Sequence, residues 1–257
     1  MIANLLAADP TNVFQWLGDS SERLASGAIP DQAWITIWHS VAATSIAIVL
    51  AVPLAVWLAH YRKAELLSAW LVNIGRVIPT VTIVAVAVLV SLRNGYGFEP
   101  WPILIALVAM ALPPIFSNTY TAVRGVDENV VSAARAIGTT EWSIMTSIEL
   151  PLASMVILTG IRVAAVQVVA TEVIGAFFGG EGLGAYIRQG LGNRDNYEVQ
   201  AGALLITGVA MTLDLCLFLL SKLLIPKGVS PVKRSSTDRA GTEPRPSEPA
   251  STAGPVS

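Results

Sequence analysis

Four ionisable residues lie inside otherwise apolar stretches of this sequence and are its first candidates for chemistry. They are Arg76, Arg162, Glu172 and Asp214. A charged side chain at the centre of a bilayer costs roughly 2.5 to 3.5 kcal/mol on insertion scales. Such residues therefore face water, a partner subunit or an opposite charge, and they mark solute paths, proton relays and interhelical ion pairs.

The spacing of these charges limits how they can pair. Arg162 and Glu172 are separated by about 15 Å along one helix, so they cannot pair with each other. Either of them could meet Asp214 or Arg76 on another helix. A polar lining of a path and a structural pairing between helices are equally good interpretations of Arg162 and Glu172. Arg76 precedes Pro79, where a helix break is expected, and this favours a role in gating.

The residues that enzymes and metal sites need are scarce. Two histidines, His39 and His60, and one cysteine, Cys216, cannot supply a metal cluster or a nucleophile with its base. We expect both histidines at the membrane interface. The sequence has no Gly-Lys-Ser/Thr phosphate loop. We therefore expect no catalytic residue, no metal and no cofactor, and any ATP hydrolysis must come from a separate chain.

The composition predicts an all-α polytopic membrane protein. Of its residues 53% are hydrophobic and 13% are charged, against roughly 25% charged in soluble domains, and the mean hydropathy is +0.61. No basic stripe is present to bind nucleic acid. Helices that can cross a bilayer are expected near residues 34–59, 66–92, 102–123, 152–178 and 199–225. We expect Pro53 to kink the first span and Pro113 with Pro114 to break the third.

The segments outside these spans set the predicted topology. Five spans place the two termini on opposite sides, and the loops richer in Lys and Arg favour a cytoplasmic C-terminus. Residues 1–33 are then an extracytoplasmic segment, with a short surface helix near residues 12–24. Residues 229–257 are rich in Pro, Ser, Thr and charge, so we expect a disordered cytoplasmic tail.

Aromatic residues flank the first span. Trp34, Trp38, Trp57 and Tyr61 could form a cage for a quaternary amine through cation–π attraction. Their positions near both ends of one span favour instead the aromatic belt found at membrane interfaces.

The longest polar interruption, residues 124–152, is built from local folding signals. Asp127 is suited to cap a helix, and Gly138 stands where a left-handed residue ends one. Thr140 can cap a second short helix, which we expect to stop before Pro151. The loop therefore reads as helix, glycine elbow and helix, and it lies on the predicted cytoplasmic side.

This loop resembles the cytoplasmic loop of bacterial ABC importer permeases. That family carries Glu-Ala-Ala, three residues, Gly, nine residues, Ile, one residue and Leu-Pro. The matching residues here, all at the family spacing, are Ser132, Ala133, Ala134, Gly138, Ile148, Leu150 and Pro151. Ser132 replaces the glutamate of the family. The resemblance implies that this loop couples the chain to an ATPase.

A glycine turn after the fourth span extends the resemblance. Gly179, Gly182, Leu183 and Gly184 are similar to the external Gly-x-Gly-Gly-Leu-Gly turn of these permeases, with Glu181 in place of one glycine. Asn196-Tyr197 and the Arg-x-Ile-Pro pattern that ends at Pro79 are similar to the subgroup that imports glycine betaine, choline or carnitine. Methionine-type permeases share the glycine turn and are the alternative.

The resemblance covers roughly residues 35–228. It implies a type I ABC importer permease-like bundle of about five helices in a bacterial cell membrane, forming the path for a small solute. The implied partners are ABC ATPase subunits, a second permease subunit and an extracytoplasmic substrate-binding protein. An ion-coupled secondary transporter, with Glu172 and Asp214 as carriers, is a further alternative, but it predicts an inverted repeat that the sequence lacks.

Overall fold

The computed structural model describes residues 13–18, 28–62, 79–98 and 100–224, and its regular structure there is helical throughout. The helices are α1 (Val13–Gly18), α2 (Ala28–His60), α3 (Thr80–Arg93), α4 (Trp101–Arg124), α5 (Glu128–Ala136), α6 (Glu141–Ile144), α7 (Leu150–Phe177), α8 (Gly184–Asn193) and α9 (Asn196–Leu224). A π-helical turn, Met145–Glu149, joins α6 to α7. The all-α prediction is confirmed. Arg76 and the predicted tail lie outside the described residues.

Four helical stretches of the described residues are long and apolar enough to cross a membrane. They are α2, α4, the continuous stretch from α6 through α7, and α9. Helix α3 is apolar but has 14 residues, and residues 66–78 of the predicted second span lie outside the described part. Helix α2 begins at Ala28, before the predicted start of the first span, because Pro30 and Asp31 suit the first turn of a helix.

Helices α2, α4 and α7 pack around the main core. Ala43, Ala47, Ala51 and Ala55 recur every fourth residue on α2 and are at most 1% exposed. They contact large side chains of α4 such as Phe116. Small residues let helices approach closely, and in lipid such packing replaces the hydrophobic driving force. This packing fixes α2 against the helices that flank the polar loop.

Two predicted helix breaks do not occur. Helix α4 continues through Pro113 and Pro114, and the helix from α6 continues through Pro151 rather than stopping before it. Packed neighbours and local adjustments hold a proline inside membrane helices. At Pro151 the adjustment is the π turn, where the Leu150 amide donates to the Met145 carbonyl. In α4 the Asn118 side chain donates to the Pro114 carbonyl at 2.8 Å.

Helix α8 lies in the segment that the sequence indicates as a glycine-rich loop. Its glycines permit close packing: a Cβ on Gly190 would lie 2.8 Å from the Val199 side chain of α9. Trp16 of α1 packs edge-on against Tyr186 of α8, with ring centroids 6.1 Å apart. Tertiary contacts therefore outweigh the low helix propensity of glycine in this segment.

The aromatic residues of α2 point away from the core. Trp34, Trp38, Trp57 and Tyr61 are 68%, 52%, 51% and 44% exposed. Side chains that face away from the protein suit an interfacial belt, which stays a prediction.

Candidate functional site

The polar loop has the local structure that its sequence predicts. The Asp127 side chain accepts a hydrogen bond from the Asn129 amide at 2.9 Å at the start of α5. Gly138 adopts the left-handed conformation, with φ of 85°. The Thr140 side chain accepts from the Ser143 amide at the start of α6. The elbow between α5 and α6 therefore rests on interactions within a few residues of sequence.

The two faces of α5 differ in burial. Val131 and Ala134 pack with Ile144 in a small buried cluster, whereas Ser132 and Ala133 are exposed. Three large apolar side chains around the elbow are exposed: Val130 by 43%, Ile137 by 83% and Trp142 by 72%. We call Val130, Ile137 and Trp142 the elbow patch. Exposed apolar side chains grouped in this way mark interaction surfaces.

The second half of the motif connects this elbow to the membrane. Ile148 lies in the π turn, and Leu150 with Pro151 begins α7. All three are partly buried. The helix runs without interruption from Glu141 to Phe177, so a displacement of α6 reaches α7 directly.

A charged network, which the sequence does not reveal, lies behind the loop. The guanidinium of Arg135 donates to both carboxylate oxygens of Glu141, at 2.8 and 3.0 Å. His60 at the end of α2 lies between Glu141 and Glu149, with nitrogen–oxygen distances of 2.8 and 2.7 Å. Its side chain is buried, and it lies at the end of a candidate membrane span, so its position at the membrane interface stays a prediction. The two carboxylate partners of His60 are too distant from it in sequence for any local pattern to reveal them.

The outer parts of this network are more exposed. The hydrogen bonds to Glu141 raise the pKa of Arg135, so its charge is permanent. Arg62 pairs with Glu128 at 2.7 Å, with both side chains more than half exposed. An exposed pair of this kind contributes about 0 to 1 kcal/mol.

Arg162 and Asp214 form one of the pairs that the sequence allows. Arg162 of α7 donates two hydrogen bonds to the Asp214 carboxylate of α9, at 2.9 and 2.8 Å. The Arg162 guanidinium also lies 5.0 Å from the centroid of the Phe218 ring. The pair lines an open groove of about 450 Å³ together with Met211, Thr212, Leu215 and Phe218.

Glu172 lies at the far end of α7 and is 1% exposed. Thr36 of α2 donates to one of its oxygens at 3.2 Å, and Nδ1 of His39 lies 3.6 Å from the other. Both Nδ1 of His39 and Oε1 of Glu172 are buried without a hydrogen-bond partner. The His39 side chain is itself buried, at 2% exposure.

The glycine turn packs directly against Glu172. The Gly182 amide donates to the side chain of Gln32, and the Leu183 amide donates to Thr36 at 2.9 Å. Gly179 and Gly182 have positive φ angles of 92° and 102°, and Gly184 begins α8. The turn and the carboxylate therefore form one cluster at the opposite end of α2 from His60.

The remaining predicted site residues are placed only in part. Pro79 is exposed and extended, with φ of −62° and ψ of 127°, immediately before α3. Arg76 lies outside the described residues, so its gating role stays a prediction. The structure thus brings together two groups, the loop with His60 and the glycine turn with Glu172, and it places the Arg162–Asp214 pair separately from both.

Comparisons with known proteins agree with this architecture. Residues 15–228 match the family described as binding-protein-dependent transport system inner membrane component. The chain is 31% identical to a glycine betaine/carnitine/choline transport system permease protein of Bacillus subtilis, over 78% of this chain and 90% of that protein. It is also 31% identical to a carnitine transport permease protein of Listeria monocytogenes, over 77% and 88% of the two chains.

The fold is similar to a solved transporter. A chain of an inward-facing MetNI methionine ABC transporter superimposes with a TM-score of 0.67, covering 75% of this chain and 94% of that one. The sequence identity is 18%, so this likeness concerns the fold alone. The family match over residues 15–228 shows that this chain belongs to the binding-protein-dependent transport system inner membrane components, the permease subunits of ABC importers.

Proposed function

We propose that this chain forms the translocation path of an ATP-driven importer for quaternary-ammonium osmoprotectants such as glycine betaine, choline or carnitine. Relatives named for these solutes align with roughly three quarters of the chain. The chain itself performs no chemistry in this proposal. A separate ATPase hydrolyses ATP, and a second permease subunit and an extracytoplasmic binding protein complete the importer.

The observation that carries the proposal is the elbow patch. Ile137 and Trp142 stand at 83% and 72% exposure on a structured loop, beside the exposed small residues Ser132 and Ala133. Large apolar side chains that project from a structured loop suit insertion into a groove on another protein, where they act as anchors. The ATPase is the partner that the proposal assigns to this surface.

The polar groups within the helices provide a route for solute. Arg162 and Asp214 remain 29% and 38% exposed as side chains, and lipid is an unfavourable environment for both. We assign their groove to the water-filled path or to its lining by the second permease subunit. Glu172 with the glycine turn lies at the other end of α7 and is assigned to the extracytoplasmic gate.

The test of the proposal is capture and stimulation of an ATPase. Co-expressed with its ATPase and reconstituted with binding protein, the chain should import a quaternary amine and hydrolyse ATP faster in its presence. The double change Ile137→Ser and Trp142→Ser should reduce ATPase capture at least about tenfold, because two anchors of a protein interface are lost.

Phe14→Ser is the matched control for capture. Phe14 is also an exposed apolar residue, at 76%, but it lies on α1, away from the loop. Its replacement should leave ATPase capture unchanged. Import by this chain in vesicles without any ATPase would contradict the proposal.

Orientation in the membrane is a separate prediction. The bias of Lys and Arg supports a cytoplasmic position for the loop. In a Cys216→Ser background, a cysteine replacing exposed Thr140 should resist membrane-impermeant thiol reagents in intact cells. A cysteine replacing Asn94, exposed after α3, should react. Labelling at position 140 from outside would reverse the topology and remove the loop from reach of the ATPase.

A further inference from the structure

We propose that His60 is a positioning residue for the polar loop of residues 124–152, called here the coupling loop. While its ring is protonated, His60 holds the end of α2 to this loop. Movement imposed on the loop then reaches α2 as well as α7, and the strength of this second connection depends on pH. The inference rests on the proposed importer function, because it assigns a regulation to the same loop.

The geometry places a carboxylate at each nitrogen of the ring. Nδ1 lies 2.7 Å from Oε2 of Glu149 in the π turn, and Nε2 lies 2.8 Å from Oε2 of Glu141 in α6. The side chain of His60 is fully buried, and that of Glu149 is 6% exposed. One ring at the end of α2 therefore contacts both α6 and the π turn.

The chemistry of the groups determines the protonation state that fits this geometry. An ionised carboxylate only accepts hydrogen bonds, and a neutral imidazole donates only one. The imidazolium can donate from both nitrogens. It hydrogen-bonds Glu149 through Nδ1 and places its positive charge 2.8 Å from Glu141, where Nε2 makes a close charge contact without the geometry of a hydrogen bond. Glu141 also receives two hydrogen bonds from Arg135, which favours its ionised form. Loss of the ring proton would leave a lone pair facing a carboxylate oxygen and break one of the two connections.

The charged and titratable groups around His60 come from every neighbouring element. Glu141 and Glu149 contact the ring, and the Tyr61 ring packs edge-on against it at 4.9 Å. The cavity beside it is also lined by Arg62 of the α2 end, Arg124 of α4, and Glu128 and Arg135 of α5. Glu149 is the most buried of these carboxylates, at 6% exposure, and deprotonation of His60 removes the positive charge at hydrogen-bond distance from it.

The consequence is mechanical. The loop is covalently continuous with α7, whereas its contact with the end of α2 depends on side chains. Helix α2 packs along α4 and α7 through its alanine face. A loop held to both α2 and α7 moves the core as one body, whereas a loop released from α2 moves α7 alone. ATP hydrolysis should then continue with less solute imported for each ATP.

The first test measures solute imported per ATP hydrolysed in the reconstituted complex, with the pH varied on the ATP side. In the wild-type complex, this ratio should fall as the pH rises and the imidazolium loses its proton. His60→Asn retains a donor near Nδ1, and His60→Gln retains one near Nε2, but neither carries a charge. Both should lower the ratio about threefold or more at acidic pH, since a charge-assisted hydrogen bond is lost, and both should abolish its pH dependence.

Arg62→Gln is the matched control. Arg62 also links the end of α2 to the loop, through Glu128 at 2.7 Å, but this pair is solvent-exposed. Its loss should leave both the ratio and its pH dependence as in the wild type. A wild-type ratio that does not vary with pH, or His60 variants that match the wild type at every pH, would overturn the inference while leaving the importer function intact.

A second measurement does not require a stable His60 variant. Spin labels on cysteines replacing Trp57 and Ser147, both exposed, report the distance between α2 and the π turn in the Cys216→Ser chain. The distance distribution should be narrow at acidic pH and broaden as the pH rises. An unchanged distribution would refute the pH-dependent connection between α2 and the coupling loop. Failure of the wild-type complex to capture an ATPase or import any solute would instead refute the proposed function.

Discussion

Gly182→Val should produce the largest loss of stability of any change considered for this protein. Gly182 has a φ of 102°, and a Cβ there would lie 2.8 Å from the Thr36 hydroxyl and collide with the Glu172 carboxylate. Left-handed strain costs about 1 to 2 kcal/mol, and forcing atoms into a packed site adds about 1 to 3 kcal/mol. Thermal unfolding of the purified chain in detergent should begin roughly 6 °C or more below the wild type.

Gly97→Val separates strain from collision. Gly97 also has a positive φ, of 81°, but no atom lies within 4 Å of the position that a Cβ would occupy. This variant carries the backbone strain alone, so its loss of stability should be roughly half that of Gly182→Val or less. Equal losses at positions 97 and 182 would show that the contact of the glycine turn with Glu172 contributes nothing to the fold.

Gly138→Val should instead leave a folded protein that fails in transport. Gly138 has a φ of 85° and open space around its Cβ position, so valine pays about 1 to 2 kcal/mol of backbone strain without an internal clash. Relief of that strain changes the angle between α5 and α6, and the valine side chain adds bulk beside the elbow patch. Solute-stimulated ATP hydrolysis and import should fall at least about tenfold, which corresponds to 1.4 kcal/mol of lost docking energy.

Two comparisons make this prediction specific to the loop. Gly97→Val carries similar strain away from the loop and should still import solute. Gly138→Asn should keep much of the activity, because asparagine tolerates the left-handed conformation. Normal import by the valine variant at position 138 would show that the elbow only connects two helices and does not transmit the motion of an ATPase.

The loop could be predicted from the sequence because its structure depends on neighbours in the chain. A cap such as Asp127 needs an amide two residues away, and the left-handed turn at Gly138 needs only the absence of a Cβ. The membrane-spanning helices can also be predicted locally, since the length of an apolar stretch determines whether it can cross a bilayer. The resemblance to ABC importer permeases rests on motif residues of this loop, such as Gly138 and Pro151 at the family spacing, and the family match confirms it.

Several prolines and glycines do not end helices as the sequence predicts, because their effects depend on packing. Pro113, Pro114 and Pro151 remain within continuous helices, where tertiary contacts and one π turn absorb the missing hydrogen bonds. The glycines of α8 allow contact with α9 rather than ending the helix. Local propensity is a weak guide wherever a neighbouring helix supplies the stabilising contacts.

The sequence by itself determined the class of protein, the elbow of the coupling loop, and four of the five predicted spans, which the structure describes as long apolar helices. These features depend on interactions within a few residues or within one helix. Only the tertiary structure decided which charges meet. The hydrogen-bonded pairs Arg162–Asp214, His60–Glu149 and Thr36–Glu172 are separated in sequence by 52, 89 and 136 positions. Such pairs form because a charge buried between helices must find a partner, and the helix that supplies it is chosen by the packing of the whole bundle.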